Sequence, residues 1–413
     1  MKVLAVAPPF AGHLNPLLTL AEGLRDHGVV TTFATGATKA PLVRRLGFDV
    51  DMICGDDPHV FDRIADTAGP VRSSPRLLTR QLRANLALLP QARAELREIV
   101  DRARPDAVLA DFTAPVAGMV ATERGIPWLT TTPTPFALET RTGTPSYCGG
   151  WGPARHPWHR WRDALGRTAT RVTKRGMERV LASSFTAAGT GVYREDGSEA
   201  AYSPTQILGL GMTELELPRD WPDVFTMVGP VTATPETWPV PPVLPEGPFV
   251  LVTVGTHLRW AKHDLIARAT RLAEAVGHQV VVSLGDAARA EPKPVETHGT
   301  VHVFGYLPYD AVVPRARAVV HHGGAGITYS CVRAGVPAVV VPHDYDQFDF
   351  AARVVAAGAG IRARRVDDAR ALRATLDLDR TRLDALSRAA ATYDPVAAVA
   401  AALLRHVEQR DAT

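Results

Sequence analysis

A glycine-rich turn with two adjacent histidines is the segment of this 413-residue sequence whose residue types best fit a chemical role. It reads His321-His322-Gly323-Gly324-Ala325-Gly326-Ile327-Thr328 and follows the apolar run Ala318–Val320, which predicts a strand. Glycines let the backbone approach a ligand closely, and the free N–H groups of a helix starting near Gly326 attract an anion. The pattern predicts a diphosphate site; a turn without a ligand is the alternative. A dinucleotide fingerprint fits less well because Tyr329 occupies the third glycine position, and no P-loop motif occurs.

A carboxylate beside a carboxamide follows the next predicted strand, Pro337–Val341. At the carboxyl end of a strand, Asp346 and Gln347 are suited to hydrogen bonding with the hydroxyls of a sugar. Two alternatives stay open: Asp344 and Asp346 could hold a divalent cation, or both could be solvated loop charges. The position after a phosphate-type turn and a strand favours sugar binding.

A histidine and an aspartate at the ends of two amino-terminal strands form a candidate acid–base pair. His13, in Gly12-His13-Leu14-Asn15-Pro16, lies on the predicted loop after the strand Val3–Ala7, and Asp111 ends the strand Ala107–Ala110. A histidine with a near-neutral pKa is suited to general-base catalysis, and a neighbouring carboxylate would fix its tautomer. Each residue taken singly has a structural interpretation, such as a helix cap for Asp111. Taken as a pair, they predict catalysis.

Two further segments give weaker signals. Thr256, in Val254-Gly255-Thr256-His257, could contact a phosphate through its hydroxyl, and Tyr306 could either stack on a nucleobase or be a half-buried core aromatic. The fourteen histidines show no H-E-x-x-H motif or other ligand spacing, so no metal site is expected.

The composition excludes several classes of protein. Hydrophobic residues make up 46% of the chain and charged residues 22%, as in globular proteins, which excludes disorder and fibrous repeats. The net charge of +3 has no long like-charge runs, so nucleic acid is not an expected partner. Cys54, Cys148 and Cys331 form no disulfide framework, which favours a cytoplasmic location. No run of about 18 apolar residues occurs, so no membrane span is expected.

Alternating strand and helix patterns in both halves predict an α/β protein with two doubly wound, Rossmann-like parallel sheets. Seven prolines between Val228 and Pro248 predict an extended linker. The predicted domains are residues 1–228 and 249–394, joined by a linker at 229–248 and followed by a carboxyl-terminal helix at 395–413. The ligand site should lie in the cleft between the two sheets.

Taken together and in this order, these motifs are similar to those of the nucleotide-sugar-dependent family 1 glycosyltransferases with the two-domain GT-B fold. The sequence resembles in particular the antibiotic and macrolide glycosyltransferases of actinobacteria. The resemblance spans nearly the whole chain and is strongest over about Val301–Ile361. The segments that carry it are Gly12–Pro16, Asp111, Val228-Gly229-Pro230, His322–Gly326 and Asp346-Gln347.

The resemblance implies an inverting transfer of a sugar to an acceptor hydroxyl, which forms a β-glycoside. It implies that His13 is the general base and that Asp111 supports it. The nucleotide sugar would be a co-substrate, and neither a cofactor nor a metal would be needed. The donor-binding residues implied by the resemblance are Thr256, Tyr306, His322, Gly324, Ala325, Gly326, Asp346 and Gln347.

Two departures from the family pattern affect the donor side. Ile327 stands where members usually carry Ser or Thr, so Thr328 is the expected substitute for that hydroxyl contact to phosphate. Phe350 stands where an Asn is common. The donor is therefore left open between a UDP-hexose and a dTDP-deoxysugar.

The acceptor is expected to be a hydrophobic natural product bound against the amino-terminal domain. Its predicted contacts are Phe136, Tyr147 and Trp151, with the loops around residues 58–89. A monomer or a homodimer is expected. The alternative functions are a nucleotide-sugar epimerase of the same fold, which would need further acid–base carboxylates, and a non-catalytic nucleotide-sugar-binding partner, which the presence of His13 and Asp111 disfavours.

Overall fold

The structure of the chain is a computed structural model that describes residues 1–67, 69–71, 74–147, 149–232, 240–256 and 259–411. Cys148, His257 and the linker prolines Pro235 and Pro239 lie outside these residues. The predicted architecture of two doubly wound parallel sheets is confirmed. Within the described residues, no helix has the length and the apolar character that crossing a membrane requires.

The first sheet has the strand order β3-β2-β1-β4-β5-β6-β7, and all of its neighbouring strands are parallel. Its strands β1, β4 and β5 are almost wholly buried, as expected where helices cover both faces of a parallel sheet. The strands are β1 (Lys2–Val6), β2 (Val30–Thr35), β3 (Val50–Met52), β4 (Ala107–Asp111), β5 (Trp128–Thr132), β6 (Ile207–Gly209) and β7 (Phe225–Met227).

The second sheet has the order β10-β11-β9-β8-β12-β13-β14 and is parallel except at β10, which pairs with β11 antiparallel. Valine-rich runs in its central strands leave almost no exposed surface there. The strands are β8 (Phe249–Thr253), β9 (Gln279–Ser283), β10 (Glu296–His298), β11 (Val301–Phe304), β12 (Ala316–His321), β13 (Ala338–Val340) and β14 (Gly360–Arg362).

Helices follow the strands and cover both sheets. Those between the strands of the first sheet and up to residue 188 are α1 (Ala11–Leu24), α2 (Ala40–Arg45), α3 (Val60–Ala65), α4 (Pro75–Ala103), α5 (Pro115–Glu123), α6 (Pro157–Val180) and α7 (Ala182–Ala188). Those that follow are α8 (Leu265–Val276), α9 (Tyr309–Val312), α10 (Ala325–Ala334), α11 (Gln347–Ala357), α12 (Ala369–Leu376), α13 (Thr381–Ala390) and α14 (Pro395–Asp411).

One predicted helix start was wrong. The sequence predicts that His13 lies on a turn and that the helical pattern starts at Pro16, but α1 begins at Ala11 and includes Pro16. His13 therefore lies in the first turn of a helix and not on a loop, so its position is set by the packing of α1 against the sheet.

The carboxyl-terminal helix returns to the first sheet. Val399 and Leu403 of α14 are fully buried in the same apolar cluster as Leu17 and Leu20 of α1. A side-chain carbon on Gly23 would lie 2.7 Å from Val396, so the glycine is what allows α1 and α14 to approach this closely. Helix α14 is therefore packed against the amino-terminal half of the chain.

A buried ion pair joins the segment before β7 to α11 of the second half. The guanidinium of Arg353 lies 2.9 Å from a carboxylate oxygen of Glu216, and the two side chains are 1% and 4% exposed. The same guanidinium lies 3.8 Å from the ring centre of Phe136, which packs on Phe350. Because buried charges are costly without partners, this pair holds the two halves in one relative position.

Removing one member of this pair should be far more damaging than removing both. Arg353→Met leaves the Glu216 carboxylate buried without its partner, and we expect the free energy of unfolding to fall by about 3–5 kcal/mol. Arg353→Met combined with Glu216→Met should recover much of that loss. Urea unfolding measures both changes, with Arg102→Met at the exposed Arg102–Asp51 pair as a control that costs far less. A single variant as stable as the native chain would contradict this account.

Candidate functional site

The strand order of each sheet reverses at its centre, and the candidate residues lie at these two points. The reversal falls between β1 and β4 in the first sheet and between β8 and β12 in the second. The loops that follow such a pair of strands run in opposite directions and leave a crevice at the carboxyl ends. A cavity of about 710 Å³ lies there, lined by residues of both halves.

The predicted histidine–aspartate pair is present in the structure. Nδ1 of His13 lies 3.0 Å and 3.1 Å from the two carboxylate oxygens of Asp111. Asp111 is 1% exposed, and it also accepts a hydrogen bond of 2.9 Å from the backbone N–H of Thr113 and another from the Thr113 hydroxyl. An ionised Asp111 accepts the Nδ1 proton, so the lone pair on Nε2 is left to act as a base. His13 lines the cavity, and Asp111 lies behind it.

The surroundings of His13 raise its pKa above the ordinary value of 6.5. Burial acts in the opposite direction and lowers the pKa, because it disfavours the charged imidazolium. The charge and hydrogen bond of Asp111 outweigh it, and the charge of Asp346 adds to them. The carboxylate of Asp346, in the second half, is therefore close enough to His13, in the first half, for their charges to interact.

The glycine turn after β12 packs closely against the ring of His322. Gly323 has a φ of +91°, and Gly324 is the residue before α10. Side-chain carbons on Gly255 and Gly324 would lie 2.6 Å and 2.5 Å from the ring of His322. Only glycine at both positions leaves enough space for the imidazole. Gly326 has no atom within 4 Å of where its side chain would be, and it lines the cavity. The amino end of α10 thus opens onto the cavity.

The structure corrects the predicted role of Thr328. Its side chain is 1% exposed, and its hydroxyl donates a hydrogen bond of 2.8 Å to the backbone oxygen of Gly324. One residue corresponds to a turn of about 100° around a helix, so Ile327 lines the cavity while Thr328 points into the fold. The phosphate contact predicted for Thr328 is wrong.

The other histidine of the turn, His321, has a structural role. It is 1% exposed, and its Nδ1 accepts a hydrogen bond of 3.0 Å from the backbone N–H of Gly323. Burial lowers the pKa of His321 to about 3, so the imidazole is neutral near neutral pH.

The segment after β13 places two polar side chains at the cavity, and they differ in how much of their hydrogen-bonding capacity the protein already uses. Asp346 and Gln347 line the cavity, and an oxygen of Asp346 accepts a hydrogen bond of 3.1 Å from the hydroxyl of Thr134. The side-chain oxygen of Gln347 accepts from the backbone N–H groups of His343 and Asp344, at 2.8 Å and 3.1 Å. Gln347 therefore holds its own loop with its oxygen and has its NH₂ group left for a ligand.

Asp344 is committed to the backbone. It is fully buried, and its two oxygens accept hydrogen bonds from the N–H groups of Val71, at 2.5 Å, and Tyr345, at 2.9 Å. This geometry does not favour the alternative in which Asp344 and Asp346 hold a cation together. In the part of the chain that the structure describes, no three His, Cys, Asp or Glu side chains are grouped as a metal site.

The remaining predicted donor residues, Thr256, Tyr306 and Ala325, all line the cavity, and Tyr306 is 8% exposed. Of the predicted acceptor residues, only Tyr147 lines the cavity. Phe136 is 1% exposed because it packs between Phe350 and Arg353, and Trp151 stacks on the Arg162 guanidinium beside α6. The placement of these two against an acceptor is corrected.

Residues that the sequence does not single out complete the cavity. Thr134 reaches Asp346, and the side chain of Gln81 on α4 exchanges hydrogen bonds of 3.1 Å and 3.3 Å with the hydroxyl of Tyr345. Asp349 accepts from the backbone N–H of Tyr147, and burial raises the pKa of Asp349 to about 6. These contacts join residues more than 200 positions apart, for which no local pattern exists.

Apolar side chains from the first half also line the cavity and form what we call its apolar wall. They come from the predicted acceptor region around residues 58–89 and from its surroundings, and they are Phe10, Ile53, Phe61, Leu82, Leu86, Leu88, Leu89 and Phe112.

Comparisons with known proteins show which enzymes this chain is similar to. Residues 17–188 match the family described as Glycosyltransferase Family 4, and residues 268–393 match the family described as Erythromycin biosynthesis protein CIII-like, C-terminal domain. Elloramycin glycosyltransferase of Streptomyces olivaceus is 28% identical over 91% of this chain and 89% of its own length. 4'-Demethylrebeccamycin synthase of Lentzea aerocolonigenes is 28% identical over 93% and 94%. The chain is a glycosyltransferase.

The transferase has the GT-B fold. Its chain superposes on the glycosyltransferase SsfS6 of Streptomyces sp. SF2575, complexed with thymidine diphosphate, with a TM-score of 0.68 and 23% identity over 99% of each chain. The resemblance to antibiotic glycosyltransferases of actinobacteria that the motifs predict is confirmed.

The raised pKa of His13 predicts how the transferase responds to pH. Only the neutral imidazole can accept a proton, so kcat/KM should fall as the pH drops through a pKa above 6.5. Asp111→Asn removes the charge that raises the pKa, so the acid limb should move to lower pH while the plateau falls roughly 100-fold or more. Asp101→Asn, at an exposed ion pair, should change neither. An acid limb that does not move in Asp111→Asn would show that Asp111 does not act on the base.

Gly326→Ala tests whether the helix end binds the diphosphate. The added methyl group meets no protein atom and alanine favours a helix, so stability should be unchanged or slightly raised. The methyl group enters the cavity, however, and should weaken nucleoside diphosphate binding about tenfold or more, or about 1.4 kcal/mol. Gly176→Ala, on α6, where the new methyl also meets no atom, is the matched control for calorimetric titration. Equal affinities in the two variants would place the diphosphate elsewhere.

Proposed function

We propose that this transferase moves a sugar from a nucleoside diphosphate to a hydroxyl group of a hydrophobic small molecule, with inversion at the anomeric carbon. The observation that carries the proposal is that one cavity holds both the His13–Asp111 pair and the glycine turn after β12. A general base and an anion site within one cavity are what a displacement by an acceptor hydroxyl requires.

On the donor side, the proposal places the diphosphate at the amino end of α10. There the backbone N–H groups of residues 324–326 and the side chain of His322 can donate hydrogen bonds, with Thr256 nearby. Asp346 and the NH₂ group of Gln347 would hold the hydroxyls of the sugar, and Tyr306 would contact the base. The hydroxyl of Thr134, which donates a hydrogen bond to one oxygen of Asp346, would lie next to the bound sugar.

In the proposed reaction, Nε2 of His13 takes the proton of the acceptor hydroxyl as the oxygen attacks the anomeric carbon. The bond between that carbon and the diphosphate oxygen breaks, and the bonding pair leaves with the diphosphate. Displacement in line turns an α-linked donor into a β-glycoside. Asp111 stabilises the imidazolium that forms, and the dipole of α10 stabilises the charge that develops on the leaving group.

We propose that the transfer proceeds without a metal ion. The support is geometric: both oxygens of Asp344 are engaged by backbone N–H groups, which leaves Asp346 without a second carboxylate for a shared cation. The amino end of α10 and His322 would then supply the positive field that a metal provides in other transferases.

The apolar wall of the cavity supports a hydrophobic acceptor. Six of its side chains come from α3, α4 and the segment before α1. Two relatives are named elloramycin glycosyltransferase and 4'-demethylrebeccamycin synthase. We infer a hydrophobic natural product as the acceptor class. The thymidine diphosphate bound to SsfS6 supports a dTDP-sugar as donor, and a UDP-hexose is the second arm of the test.

A calorimetric titration with UDP, dTDP and their sugar nucleotides, in the presence of EDTA, tests the donor side. We expect one diphosphate to bind at least tenfold more tightly than the other, and EDTA not to change its affinity. Asp346→Asn should leave the affinity for the bare diphosphate unchanged and should weaken binding of the sugar nucleotide. Loss of binding in EDTA would overturn the metal-free proposal, and no binding of either diphosphate would overturn the donor site.

A further inference from the structure

Helix α6 presents its large apolar side chains to solvent. Of its 24 residues, only Asp163 and Gly166 are buried against the rest of the protein. A surface helix normally turns its apolar face toward the core, so an exposed apolar row indicates a missing partner. The exposed side chains are Trp158 (61%), Trp161 (75%), Leu165 (70%), Val172 (63%) and Val180 (71%). We call this row, together with Ala169 and Gly176 between its members, the α6 stripe.

The α6 stripe occupies one face of the helix and is nearly symmetric along it. Its members follow one another at steps of three, four, four, three, four and four residues, which is the spacing of neighbours on one helical face. Ala169 lies at the middle, eleven residues from each end of the stripe. Two copies of α6 related by a two-fold axis at Ala169 would therefore present the same face to each other.

Side chains of complementary size meet in that arrangement. In an antiparallel pair centred on Ala169, Leu165 of one copy faces Val172 of the other, and Trp161 faces Gly176. A side chain placed at Gly176 would have no atom within 4 Å, so the space that an indole ring needs is free there. A small residue at the centre lets the two helices approach closely. A two-fold contact requires this kind of self-complementarity.

Four of the seven basic side chains of α6 are held by contacts within its own domain, and the other three, Arg160, Arg175 and Arg179, are exposed. Arg162 donates hydrogen bonds to the carboxylate of Asp163 and the backbone oxygen of Gly152, and Arg167 donates to the backbone oxygen of Gly143. Arg171 and Lys174 pair with Glu139. These four cations are therefore engaged within one chain before a second helix approaches.

The size of the stripe fits the apolar centre of a dimer interface. A helix of 24 residues is about 36 Å long, and its two exposed tryptophans alone offer roughly 300 Å² of surface. A stable interface buries about 800 Å² on each partner, and tryptophan is among the residue types that contribute most to binding. We propose that the α6 stripe is the interface of a homodimer in which two copies of α6 pack antiparallel about Ala169.

The mass of the protein in solution tests the proposal. Light scattering after gel filtration should give twice the 44.4 kDa of one chain, and Trp161→Arg and Leu165→Arg should each halve it. Both positions are exposed, so the variants should fold, which circular dichroism checks. The matched control Leu404→Arg changes an exposed leucine on α14 and should remain dimeric. A native chain that is monomeric throughout a concentration series, or a dimer that survives both α6 substitutions, would overturn the proposal.

A cross-link tests the geometry separately. In a chain with Cys148→Ser, Ala169→Cys places one thiol on the proposed axis, and mild oxidation should convert most of the protein into a covalent dimer. Leu404→Cys in the same background should not cross-link. A dimer that does not cross-link through residue 169 would contradict the antiparallel register. Tight binding of monomeric native chain to anionic lipid vesicles, lost in Trp161→Arg, would show that a membrane surface and not a second copy covers the stripe.

Discussion

The reversal of strand order at the centre of each parallel sheet is the constraint from which the site follows. Because β1 and β4 are neighbours, the first turn of α1 and the end of β4 lie side by side, and His13 meets Asp111 there. Because β8 and β12 are neighbours, Gly255 packs on the ring of His322 in the same way. Each sheet thus brings together residues that are far apart in the sequence. The proposed base belongs to the first sheet and the proposed anion site to the second.

The two halves become one site only because buried polar contacts hold the sheets face to face. Thr134 bonds to Asp346, and Val71 bonds to Asp344, each across the cleft. The buried Arg353–Glu216 pair and the return of α14 to the first sheet add contacts away from the cavity. Unpaired buried charges are costly, so these contacts specify one relative position of the halves. Positioning of a base against a leaving group depends on that position.

Much of the fold and part of the site can be read from local patterns, and the rest depends on contacts that no local pattern encodes. Valine-rich runs predict the central strands, and the polar residues at or after their ends lie at the cavity, as Asp346 does, or directly behind it, as Asp111 does. The sequence does not show which of Ile327 and Thr328 faces the cavity, because neighbouring residues point in directions about 100° apart around a helix. It also misses α6, whose apolar face points outward, and the Val71–Asp344 contact, which spans 273 residues.

The central claim is that His13 is the base for transfer and takes no part in binding the donor. Measuring both properties in one preparation of His13→Ala tests it most directly: calorimetric affinity for the nucleoside diphosphate, and the rate of transfer to an acceptor. The account predicts an affinity within about twofold of the native chain and a rate lower by roughly 100-fold or more. Undiminished transfer, or loss of donor binding together with the rate, would contradict the assignment of the two functions to the two sheets.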